Sequence, residues 1–74
     1  MKFFNVCQGK YDGNKRVEPI FPLTEEDMKK NIEMGVAKEI SESESLYPSW
    51  GSGNYRLNDD GTFTLIAEDW DTSG

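Results

Sequence analysis

From Thr24 onward, Met28, Ile32, Val36 and Ile40 recur every four residues, while Glu25, Glu26, Lys29, Lys30 and Glu33 fill polar positions between them. This spacing predicts a helix from about residue 25 to about residue 40 with one buried stripe. Thr24 is a capping residue, Asp27 completes a capping box, and Leu23 and Met28 form a hydrophobic staple. Glu25 with Lys29 and Glu26 with Lys30 are i,i+4 pairs on the wet side. Gly35 inside such a helix costs about 1 kcal/mol relative to alanine, which predicts either close packing against an aromatic ring or a less stable helix.

On both sides of this helix the pattern changes to strands. "KFFNVCQGKY" favours β-structure, "YDGNK" carries an Asp-Gly turn, and "RVEPIF" reads as a returning strand held at an edge by Pro19, so residues 2 to 21 are expected as one hairpin. "NYRLNDDGTFTLIAEDW" alternates on both sides of "NDDG", a second hairpin with Tyr55, Leu57, Phe63, Leu65 and Ala67 on one face. The expected fold is α+β: hairpin, helix, hairpin, with an antiparallel sheet packed on one helix in a single domain over residues 1–74 and residues 71–74 as a frayed tail.

Composition narrows the function. A chain of 74 residues forms a thin core, so binding at an outer face is the expectation. The absence of histidine removes the imidazole base of hydrolases, His-containing zinc clusters and the usual proton shuttle. Cys7 is the one cysteine; it has no partner for a disulfide or a CxxC site, and its apolar strand makes it a sheet-face residue rather than a nucleophile. No signal peptide or membrane span is read in the sequence, and the single thiol fits a reducing cytoplasm, that of the host cell if a phage carries the protein.

The charge is uneven. Residues 1–38 hold seven basic and six acidic side chains, whereas residues 39–74 hold eight acids against Arg56 alone. Such an acidic half repels nucleic acid and anionic membranes and favours a basic protein partner. Carboxylate pairs that catalysis would use (Glu42 with Glu44, Asp59 with Asp60, Glu68 with Asp69 or Asp71) all fall in a turn, loop or tail, where carboxylates are solvated. "DWDTSG" matches the first half of a calcium loop but lacks its bidentate Glu, so neither a metal nor another cofactor is expected. Lys10, Lys15 and Arg16 read as a solvated hairpin end, and "SESES" as a helix-exit linker.

"SLYPSWGSGNY", residues 45 to 55, then stands out: aromatics in a Pro-, Ser- and Gly-rich connection, with Gly51, Ser52 and Gly53 giving mobility. The resulting expectation is a monomeric, non-enzymatic interaction protein. Its partner-binding residues are Glu42, Glu44, Tyr47, Trp50, Tyr55, Asp59, Asp60, Asp69, Trp70 and Asp71. Its partner is a larger protein with a basic surface, such as a polymerase or nuclease. Asp69 and Asp71 along a strand would stand about 6.6 to 6.8 Å apart, a spacing that permits phosphate mimicry. Small acidic inhibitors of this kind are carried by bacteriophages. The alternatives are a small-ligand or carbohydrate module using Trp and Tyr as stacking platforms, and a minor carboxylate- or metal-dependent enzyme.

Overall fold

The computed structural model describes residues 1–71. The strands are β1 (Phe3–Cys7), β2 (Lys10–Asp12), β3 (Lys15–Val17), β4 (Ala37–Ile40), β5 (Ser52–Leu57) and β6 (Phe63–Asp69), with helix α1 (Glu25–Glu33) before β4 and a 3-10 turn (Glu42–Glu44) after it. An antiparallel sheet in the order β4-β1-β5-β6 packs on α1, and β2 and β3 form a separate ribbon. This is a small α+β domain.

The helix starts as the sequence predicts and stops seven residues early. The Thr24 hydroxyl accepts from the Asp27 N–H at 3.3 Å, and the Asp27 carboxylate accepts from the N–H groups of Thr24 at 3.2 Å and Leu23 at 3.0 Å. Gly35 ends it: at φ 79° its N–H donates to the Ile32 carbonyl and the Val36 N–H to the Asn31 carbonyl, a Schellman closure that a left-handed glycine permits. The four-residue stripe therefore divides. Met28 is buried on α1, Ile32 is 43 % exposed, Val36 lies in the exit turn, and Ile40 belongs to β4. Leu23 is also largely exposed, so the expected staple buries little. Among the described residues the one ion pair is Arg16–Glu18, so the predicted i,i+4 pairs do not close.

The first expected hairpin is also shorter, running only from Lys10 to Val17 around Asp12-Gly13. β1 leaves it at Cys7 because consecutive Phe3 and Phe4 are both buried, which requires a strand covered on both faces and therefore central in the sheet. Pro19 lies in no strand; Asn31, fully buried, exchanges two hydrogen bonds with the Ile20 backbone at 2.7 and 2.8 Å and straps the chain leading to α1. Phe4, Val6, Tyr55 and Met28 form the core, with Phe63 set edge-on to Phe4 at 5.7 Å. The second hairpin forms as predicted except at a bulge. Tyr55 faces Leu65 but Asn54 faces Ala67, so the extra residue turns Ala67 away from the core face.

Candidate functional site

The pairing scheme dictates the path of the long connection. β4 ends with Ile40 opposite Phe3, and β5 begins with Ser52 opposite Cys7, so residues 41–51 must travel the length of β1, about 13 Å, before β5 can start. They cross the sheet face away from α1. Strand alternation places Asn5, Ser52 and Asn54 on that face, opposite the core residues Phe4, Val6 and Tyr55.

Those three polar side chains hold the loop. The Asn5 amide donates to Ser52 Oγ at 2.9 Å and to Asn54 Oδ1 at 2.7 Å; Ser52 Oγ donates to the Ser49 carbonyl at 2.6 Å; the Asn54 amide donates to the carbonyls of Ser45 at 3.0 Å and Glu44 at 3.2 Å. Ser45, Ser52 and Asn54 are all buried. A buried network whose members are all satisfied fixes one backbone path, because any alternative leaves desolvated polar atoms without partners. At the far end Gly51, at φ 78°, donates to the Asp69 carbonyl at 2.6 Å and accepts from the Gln8 N–H at 2.7 Å.

A pinned loop corrects the expected mobility, since Ser52 and Gly53 are buried residues of β5. The loop's apolar side chains nevertheless point outward: Tyr47 is 79 % exposed, Trp50 72 % and Leu46 63 %. The sequence reading did not single out Leu46, nor Asn5, Ser45 and Asn54, since Asn and Ser in a strand or loop ordinarily mark the wet side. The one available signal was Asn54, a residue type depleted in strands, inside β5.

The other expected residues do not converge on the loop. Tyr55 is a core residue at 5 % exposure and is removed from the surface; burial, with the Glu68 carboxylate as a smaller cause, raises its phenol pKa above the ordinary range. Asp59 and Asp60 sit in the β5–β6 turn at the opposite end of β5 from Trp50. Asp69 and the half-buried Trp70 lie near Gly51, where the Trp70 ring covers Gly53. Asp71 is tied rather than frayed: its N–H donates to Gln8 Oε1 at 2.7 Å and its carbonyl accepts from Gln8 Nε2 at 3.1 Å. β6 ends at Asp69, so the strand spacing assumed for Asp69 and Asp71 is not provided. The rest of the expected tail and the second half of the calcium-loop pattern lie outside the described residues; among the described residues no three Cys or carboxylate side chains converge as a metal would require.

Two carboxylates serve as local braces. Glu44 accepts from the Ser41 hydroxyl at 2.9 Å and the Ser41 N–H at 3.3 Å, and these bonds hold its pKa below the ordinary 4.5. Asp60 accepts from the Thr62 hydroxyl at 2.6 Å and N–H at 3.0 Å and is likewise held below 3.8. A lowered carboxylate contributes stability that is present above its unfolded value and is lost as pH falls through the folded one. Acid titration followed by circular dichroism should therefore show a shallower acid limb below pH 4.5 in Glu44→Gln than in the native chain.

Comparison with protein-family profiles, curated proteins and solved structures gives no match. Among the described residues no helix is long and apolar enough to cross a membrane.

Proposed function

We propose that the protein is a small acidic binding module that docks on a basic surface of a larger nucleic-acid-handling protein and inhibits or retunes it, as bacteriophage-carried inhibitors do. The observation that carries this reading is the outward display of Tyr47 and Trp50, with Leu46, from a loop whose backbone is fixed by buried hydrogen bonds. A loop that served only as a core lid would turn these rings inward. Anchors held in place before binding lose little conformational freedom on association, and Trp and Tyr are the residue types that dominate interface energies. Glu42 and Glu44 beside them supply steering toward a cationic partner. Asp59 and Asp60, at the far end of β5, add to the long-range field rather than to this contact.

The test is capture from a lysate of the native host setting, comparing the native chain with Trp50→Ala and with Glu42→Lys/Glu44→Lys. Trp50→Ala should weaken capture at least about tenfold, while the unfolding free energy changes by less than about 0.5 kcal/mol because the ring is exposed. The charge reversal should weaken it most at low ionic strength. Capture that survives both changes in folded protein contradicts the assignment of the surface, and binding insensitive to salt points instead to a stacking module for an uncharged ligand.

A further inference from the structure

The sheet face that carries α1 holds a second surface. An open groove of about 690 Å³ runs between α1 and the sheet, with Ile32, Leu57 and Phe63 as its accessible apolar surface and the buried Phe4 and Met28 behind them. Its helical wall carries Glu25, Lys29, Ile32 and Glu33, a single stripe at i, i+4, i+7 and i+8. The groove thus follows the nine-residue helix from end to end, about 13 Å. A linear occupant fits such a shape.

Charge decides which one. The rim holds four carboxylates, Glu25, Glu26, Glu33 and Glu39, against the two ammonium groups of Lys2 and Lys29, and none of them is in an ion pair. We infer that this groove takes a cationic amphipathic helix of a protein partner, its apolar face on Ile32, Leu57 and Phe63 and its Lys or Arg side chains on the carboxylate rim. The site lies on the opposite sheet face from Trp50 and does not depend on the loop.

The test uses a labelled synthetic helical peptide of about 14 residues, roughly 21 Å long, with Leu along one face and Lys elsewhere, titrated into the full chain by fluorescence anisotropy. The peptide should bind; a version with Glu for Lys should not, and a shuffled version without an apolar face should bind at least about fivefold more weakly. Ile32→Asp should weaken binding at least about fivefold despite adding negative charge, Glu33→Lys/Glu39→Lys should weaken it comparably, and Trp50→Ala should leave it unchanged. Equal binding of the shuffled peptide, or unchanged binding to a folded Ile32→Asp chain, overturns the inference. So does self-association that Ile32→Asp abolishes, because the occupant is then a second copy.

Discussion

Asn54→Leu is expected to destabilise the protein by about 2–4 kcal/mol. Asn54 is 1 % exposed and bridges two strands to the loop: it accepts from Asn5 and donates to the carbonyls of Ser45 and Glu44. Leucine has the same number and branching of side-chain heavy atoms and better strand propensity, so a merely tolerated Asn would be improved by the exchange. The opposite is expected because the substitution leaves the Ser45 carbonyl desolvated without a donor and takes one acceptor from the Asn5 amide. A domain of this size has roughly 4–11 kcal/mol of total stability, so the loss is a large fraction of it and should appear as a fall of about 13–26 °C in Tm. The same variant should release the loop from the sheet, raising hydrogen exchange at the Ser45 and Tyr47 amides above that of the core strands. A neutral or stabilised Asn54→Leu would mean that the network does not hold the loop.

The second large effect is at Gly53, where the expectation again runs against propensity. A Cβ on this strand residue would overlap Trp70, at 2.6 Å from Cη2, and stand 3.1 Å from Leu65 Cδ1. Gly53→Val adds a favourable β-branched side chain to β5 yet must expel the indole from the sheet face. Overpacking of this kind costs typically about 1–3 kcal/mol. In a Trp50→Phe background, where Trp70 is the remaining indole, the emission of Gly53→Val should move to the red as the ring enters water. Stabilisation with unchanged emission would show that Trp70 does not pack on Gly53.

Both sites illustrate where the sequence was legible. Signals that act over a few residues were readable: the Thr24/Asp27 capping box, the Asp12-Gly13 turn and the alternation around Gly61 all appear as expected. The errors came where one pattern served two structures. Apolar positions four apart satisfy a helix and a strand alike, so Val36 and Ile40 extended the helix on paper although Gly35 ends it. The paired Phe3 and Phe4 belong to a strand buried on both faces, which the sequence was not read to show, and its neighbours β4 and β5 lie about 30 residues or more away in the chain, beyond any local pattern. Trp50 and Tyr47 were identifiable as candidate anchors from their Pro- and Gly-rich surroundings, but the sequence left open whether they were exposed or folded onto the core; both are exposed. What was not legible is why they stay outside: the polar residues of β1 and β5 occupy the covered face and bind the loop backbone, leaving its rings to solvent.

This mode of display is the centre of the functional reading, and the most direct measurement is acrylamide quenching of Trp50 in a Trp70→Phe chain, before and after addition of the purified partner. The free chain should quench strongly, as the 72 % exposure of Trp50 requires. In the complex, quenching should fall severalfold with a blue shift, and high salt that dissociates the partner should restore it. An indole equally accessible in the bound state would contradict the account, since the partner would then be held somewhere other than this loop.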